Sequence, residues 1–130
     1  MINGARLAAL FSFCALAPMA HAMPPSGQAL ELVETLPETQ PGTGELWLVV
    51  RVLAPAIGQE GFDPDDAQVD LDWICGTWGL EAAANQAEQP AMVVVQMMDR
   101  IVPRGQAAPE ATQFFAGYTL ENGDCIWEVF

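Results

Sequence analysis

The first 22 residues constrain the fold most, because they decide which part of the chain folds and in which compartment. Arg6 supplies a positive n-region, residues 7–17 form an apolar h-region of the usual length, and the tripeptide Ala-His-Ala at 20–22 places small residues at a cleavage site. We predict a cleaved signal peptide over residues 1–22 and a single exported domain over residues 23–130.

The alternative for this N-terminal segment is a buried helix. A lipid anchor at Cys14 is not expected, because Phe13 stands where a lipoprotein signal needs a small residue. The predicted location is therefore the periplasm, with no membrane anchor after cleavage at Ala22.

Charge excludes two classes of partner. The chain has 17 acidic residues and four basic ones, with a formal net charge of −13. Nucleic acid and anionic membrane surfaces would both be repelled, so neither is an expected partner.

Several catalytic chemistries lack their residues after the predicted cleavage site. No histidine follows His21, the chain contains no lysine, and Ser26 is the only serine beyond the signal segment. A Ser-His-Asp triad, a Cys-His pair, a lysine Schiff base and imidazole metal ligation are thereby excluded, and no Gly-rich phosphate loop is present. We expect no cofactor and no metal site.

Two cysteines remain in the predicted mature chain, Cys75 and Cys125. Two cysteines in an exported chain most often form one disulfide. A loop of about 50 residues closed in this way is worth about 4 kcal/mol in the loop-entropy relation. We predict a Cys75–Cys125 disulfide.

Hydrophobic patterning predicts an α+β domain, an antiparallel sheet of about five strands with one main helix packed on one face. A competing interpretation is an all-β sandwich in which residues 68–73 are extended. The predicted segments are strands at 28–35, 45–53, 91–99, 113–120 and 125–130, a helix at 64–78, and loops at 36–44 and 100–111.

The helix has the best local signals. Asp63 can cap it, Pro64 suits its first position, and the acids that follow suit the positive end of the helix dipole. Ala67, Leu71, Ile74, Cys75 and Trp78 share one face. At the other end of the chain, Asn122-Gly123 predicts a two-residue hairpin.

Five aspartates cluster near the helix start, which allows two interpretations. They are Asp63, Asp65, Asp66, Asp70 and Asp72. A calcium loop would need Gly where Gln68 stands and Glu where Ile74 stands. We therefore favour an acidic first turn followed by a solvated helix face.

Two carboxylates are weak candidates for acid–base catalysis on a glycan. Glu128 lies beside Trp127 in a predicted strand, where burial could raise its pKa, although strand alternation favours a solvent-facing acid. Asp99 is the last residue of the predicted strand 91–99, which is apolar enough to be central in the sheet. Neither sequence position is specific, because acidic residues are abundant in this chain.

Trp73 lies off the core face of the predicted helix, and Arg100 and Arg104 lie in the predicted loop at 100–111. Together they are a candidate partner surface. Core packing is the competing interpretation for Trp73. For the arginines it is internal pairing with Asp99, Glu110 or Glu128.

The C-terminal third carries a recognisable pattern: Met98-Asp99-Arg100, then Pro103 and Gly105, then residues 109–115 (PEATQFF) and residues 125–128 (CIWE). Together with residues 54–57 and the region around Cys75, this pattern resembles a family of small exported alphaproteobacterial proteins of unknown function. It implies an exported single domain with a paired cysteine, and it supplies no activity and no catalytic residue. Trp73 and Trp78 stand outside the shared pattern.

The sequence thus predicts an exported acidic single-domain protein that acts as a non-enzymatic periplasmic binding or interaction module. Its expected partner is an unidentified protein or small molecule. The alternative is a small carboxylate-dependent hydrolase acting on a glycan.

Overall fold

The computed structural model describes residues 21–129, and one sheet organises them. Its strands lie side by side in the same order as they occur in the sequence: β1 (His21–Ala22), β2 (Leu30–Thr39), β3 (Leu46–Leu53), β4 (Met92–Met98), β5 (Gln113–Glu121) and β6 (Asp124–Glu128). Because β1 has only two residues, five strands carry the sheet. The predicted α+β fold is confirmed, whereas the predicted signal segment up to residue 20 lies outside the described residues.

A helical segment joins β3 to β4. It consists of a 3-10 turn (Pro55–Gly58), helix α1 (Pro64–Ile74), a π-turn (Cys75–Gly79) and helix α2 (Leu80–Ala84). This crossover returns the chain to the end of the sheet at which β3 begins, so β4 runs in the same direction as β3 and pairs with it in parallel. The predicted antiparallel sheet is confirmed for the other pairs, and the β3–β4 pair makes the sheet mixed.

The helix begins where the sequence predicts. Asp63 accepts a hydrogen bond from the Asp65 N–H at 2.9 Å, with Pro64 in the first turn. The predicted face of five residues is buried. The segment does not end at Trp78 but continues through the π-turn to Ala84, and residues 68–73 are helical, so the all-β alternative is wrong.

Strand β2 is longer than predicted and includes residues 36–39, which the sequence assigned to a loop. Pro37 lies opposite Leu48 of β3. A proline is accommodated because β1 pairs with β2 only at Leu30 and Glu31, which leaves the outer edge of β2 open beside Pro37.

The core lies between the sheet and the helical segment. Leu48, Val50 and Val52 of β3 alternate inward and pack with Ile74 and Trp78. The opposite sheet face is also closed, because the loop after β4 folds back across it and buries Val102. Buried Arg51 fastens that loop by donating to the Val102 carbonyl and to Glu34, and at 3.2 Å to Gln96 Oε1.

The N-terminal segment is fixed to α1 through Asp70. This carboxylate is fully buried and accepts hydrogen bonds from the Ser26 N–H at 3.0 Å, from the Ser26 hydroxyl and from Gln28 Nε2 at 2.6 Å. Asp70 therefore does not belong to a solvated helix face, which corrects the prediction for this member of the cluster. The three donors satisfy a carboxylate that burial alone would destabilise.

No helix within the described residues is long and apolar enough to span a bilayer.

Candidate functional site

The disulfide ties the helical segment to the last strand. Cys75 lies fully buried at the start of the π-turn and is bonded to Cys125 of β6, with their Cα atoms 6.3 Å apart. The predicted disulfide is confirmed. π-Turns are rare and are often found at functional sites, which directs attention to the residues that this one positions.

Both tryptophans beside Cys75 pack against the core. Trp73 is half-buried and packs edge-on against Trp78, with ring centroids 5.6 Å apart and planes at 70°. The Thr77 hydroxyl donates to the Trp73 carbonyl at 2.8 Å, which links the π-turn to the last turn of α1. Core packing, the competing interpretation for Trp73, describes its position.

The two loop arginines are paired internally. Arg104 forms a two-pronged ion pair with Glu38, each bond 2.9 Å long, and hydrogen bonding from Arg104 holds the pKa of Glu38 below its usual value. Arg100 donates to Asp99 from Nε at 3.3 Å and from Nη2 at 3.2 Å.

Trp73 and Arg104 do not share a surface. Glu38 follows the alternation of Glu34 and therefore points to the sheet face opposite the helical segment, as does Arg104, which pairs with it. Trp73 packs against the helix-side core. Of the candidate partner surface of Trp73, Arg100 and Arg104, the sheet thus separates Trp73 from Arg104.

Asp99 joins three segments. Its Oδ1 accepts the Thr112 N–H at 3.0 Å, and its carboxyl packs so closely on Gly58 that a Cβ added there would meet Oδ2 at 2.2 Å. Desolvation acts to raise the pKa of Asp99, but hydrogen bonds from Arg100 and Thr112 outweigh it and the pKa lies below the ordinary value. A carboxyl held ionised is a poor general acid at neutral pH.

Glu128 lies far from Asp99. Glu128 of β6 pairs with Gly117 of β5, and Gly117 pairs with Val94 of β4. Val94 lies five residues before Asp99 in the chain. At about 3.3 Å per residue the two are separated by about 16 Å along the strands, beyond the ~5–10 Å that two glycosidase carboxyls need. Glu128 is half-buried and accepts a 2.9 Å hydrogen bond from the Thr119 hydroxyl. The two candidate carboxylates are not brought together.

Strand β6 and the residue after it carry three exposed apolar side chains. Ile126, Trp127 and Val129 are 40%, 52% and 79% exposed. β6 is the last strand of the sheet, so its outer backbone edge is unpaired among the described residues. We call residues 124–129 the β6 edge. The sequence contains these residues, but only the register shows that they border an open strand.

A pocket of about 290 Å³ lies between β2 and the helical segment. Its lining residues are Leu32, Thr35, Trp78, Glu81, Ala82, Asn85 and Gln86. The sequence did not predict this pocket, because it depends on the π-turn and on the continuation of the helix beyond residue 78. A second pocket, of about 260 Å³, is lined by Leu80, Ala83, Ala84, Gln89, Leu120 and Gly123.

A buried acid, Asp70, and a buried phenol, Tyr118, were missed as well. Tyr118 donates to Asp72 Oδ1 at 2.6 Å, and Asp70 binds the N-terminal segment. Asp70 lies one residue before Leu71 and four before Ile74, a spacing that places it at the border of the core face. That spacing is the sequence signal from which the burial of Asp70 could have been predicted. Among residues 21–129, no group of three or more His, Cys, Asp or Glu side chains is arranged to hold a metal ion.

A family model described as "Family of unknown function (DUF6497)" matches residues 9–130. The expected relation to a family of unknown function is confirmed. No curated protein and no solved structure matches the chain.

Proposed function

The chain belongs to the DUF6497 family of unknown function, and because this membership supplies no activity, we propose from the features of the structure that the protein is an exported, non-enzymatic interaction module that binds an extended segment of a partner protein at the β6 edge. The exposed, apolar and unpaired edge of β6 carries this proposal. Export to the periplasm is supported by the signal pattern at residues 1–22 and by the disulfide.

Strand addition suits the backbone of β6. The two-residue turn at Asn122 and Gly123 makes Glu121 and Asp124 a hydrogen-bonded pair, and such pairs alternate with unbonded ones along an antiparallel ladder. The backbone groups of Cys125 and Trp127 therefore point to the free edge. An added strand would bond to them and cover Ile126 and Trp127.

Charge selects the chemistry of the partner. Asp124 and Glu128 flank Ile126, whereas Arg51, Arg100 and Arg104 pair with acids elsewhere. A segment alternating basic and apolar residues would complement this edge. A second copy of β6, paired antiparallel and centred on Ile126, would place Asp124 opposite Glu128 and is disfavoured by like charge.

The test is calorimetry with extended peptides that alternate valine with arginine or valine with glutamate. We expect the arginine peptide to bind and the glutamate peptide to fail. Trp127→Ala should weaken binding about tenfold, as for a central interface aromatic. Phe115→Ala, which truncates an aromatic of similar exposure on β5, is the matched control and should leave binding unchanged.

Four results would overturn the proposal: equal binding of both peptides, equal effects of the two variants, concentration-dependent dimerisation through β6, or hydrolysis of a polysaccharide by the purified protein. Export is tested separately. The protein recovered from the periplasm should begin at Met23, and an uncleaved chain retained in the cytoplasm would contradict it.

A further inference from the structure

We propose that the pocket between β2 and the helical segment binds a small organic cation, an ammonium group carried on a short apolar body. This site is separate from the β6 edge and does not depend on it. Its volume of about 290 Å³ suits a ligand of metabolite size, at the lower end of the range for small-molecule sites.

The aromatic wall of the pocket is held in place before any ligand binds. Trp78 is fixed on one side by Trp73 and lies within the π-turn that the Cys75 disulfide anchors. Gly79 lets this turn approach the sheet, because a Cβ there would lie 3.2 Å from Val93 Cγ1. Indole is the side chain that binds cations most strongly through its face.

The polar wall offers acceptors. Asn85 Nδ2 donates to the Glu81 carbonyl at 3.2 Å, and Gln86 Nε2 donates to the Ala82 carbonyl at 3.5 Å. Each of these bonds uses one of the two N–H groups of its amide and leaves the amide oxygen as an acceptor. Thr35 and Trp78 add two residues with side-chain donor groups to the lining.

Charge makes the site selective for a cation. Glu81 is the only charged residue in the lining, and no basic side chain within residues 21–129 forms an ion pair with it. An anion would be repelled by the Glu81 carboxylate and by the net negative charge of the protein. The second pocket has no charged lining residue and therefore lacks this basis for selection.

The experiment titrates the purified protein with choline and with the neutral alcohol in which carbon replaces the choline nitrogen. Calorimetry and tryptophan fluorescence report binding. We expect saturable binding of choline and none of its neutral isostere. Glu81→Gln should weaken choline binding roughly fivefold, the upper range for an exposed ion pair.

Glu88→Gln is the matched control, because it removes the same charge from an exposed residue outside the lining. It should leave choline binding unchanged, as should Trp127→Ala on the β6 edge. Equal binding of choline and its isostere would overturn the proposal. So would an absence of saturable choline binding, or equal weakening by Glu81→Gln and Glu88→Gln.

Discussion

Tyr118 is the only tyrosine of the chain, so its ionisation can be followed without interference. Burial raises the pKa of Tyr118, and its hydrogen bond to the Asp72 carboxylate raises it further. The phenol therefore stays neutral in the folded protein when an exposed tyrosine would ionise. Its contribution to the free energy of unfolding is complete below the ordinary pKa of about 10 and is lost as the pH rises above it.

We expect a spectrophotometric titration to show no tyrosinate at a pH of about 10 to 11 while the protein remains folded. Asp72→Asn should lower the pKa of Tyr118 toward its ordinary value, although desolvation still keeps it raised. Asp66→Asn, an exposed acid on the same helix, should leave the titration unchanged. Tyrosinate absorbance near pH 10 in the folded protein would contradict the assignment.

Gly58 is required by its contact with Asp99. A Cβ at Gly58 would lie 2.2 Å from Asp99 Oδ2 and 2.9 Å from Asp99 Cβ, so the carboxyl would be displaced from its bonds to Thr112 and Arg100. We expect Gly58→Ala to lower the free energy of unfolding by about 1–3 kcal/mol, the usual cost of overpacking.

Urea unfolding measures this effect. Gly76→Ala is the control, because a Cβ at that exposed position meets nothing within 4 Å. Its effect should be neutral or slightly stabilising. Similar losses in both variants would show that the contact with Asp99 does not require glycine at residue 58.

Elements with local signals were predictable from the sequence, and elements that depend on distant pairing were not. The Asp63 cap, the helical face and the Asn122–Gly123 turn are specified by adjacent residues, and the structure confirms them. The parallel pairing of β3 with β4 depends on where the crossover returns the chain. Likewise, Pro37 extends β2 only because the outer edge of that strand is open.

The disulfide joins two elements that are distant in sequence, and the two cysteine substitutions should differ. Its loop of 50 residues gives about 4 kcal/mol of stabilisation in the entropy relation, which either substitution removes. Cys75 is fully buried whereas Cys125 is partly exposed, so Cys75→Ala also loses core contacts. We expect Cys75→Ala to be the more destabilising change.

Urea unfolding with and without a reductant separates the two contributions. Reduction should destabilise the natural protein about as much as Cys125→Ala, and it should have no effect on the Cys125→Ala variant. Equal stability of the two alanine variants would show that packing around Cys75 contributes nothing. An unchanged midpoint on reduction would contradict a stabilising role for the disulfide.

At the scale of the whole molecule, the candidate sites arise from assembly rather than from motifs. Glu81 and Leu32 are distant in sequence and line one pocket only because the fold brings the helical segment beside β2. The β6 edge is exposed because β6 stands last in the sheet. The sequence did predict the fold, but it could not predict these surfaces, because they depend on which strand stands last in the sheet and on which elements pack together.

The N-terminal boundary of the folded domain follows from two contacts with the rest of the molecule. β1 pairs with β2 through His21 and Ala22 alone, so the proposed cleavage after Ala22 would remove a single short pairing. Farther along, Ser26 and Gln28 satisfy the buried Asp70 carboxylate. The stable fold should therefore begin between these two contacts.

A chain beginning at Met23 should fold cooperatively, and a chain beginning at Ala29 should be less stable by about 3 kcal/mol, the cost of leaving a buried charged acceptor without its donors. In the shorter chain, Asp70→Ala should restore part of this loss, because it removes the unsatisfied carboxylate. The same substitution in the longer chain should be destabilising, since it discards three hydrogen bonds. Urea unfolding of the four proteins forms a double-mutant cycle. If the effect of Asp70→Ala has the same sign and size in both chains, residues 23–28 do not fasten the domain through Asp70.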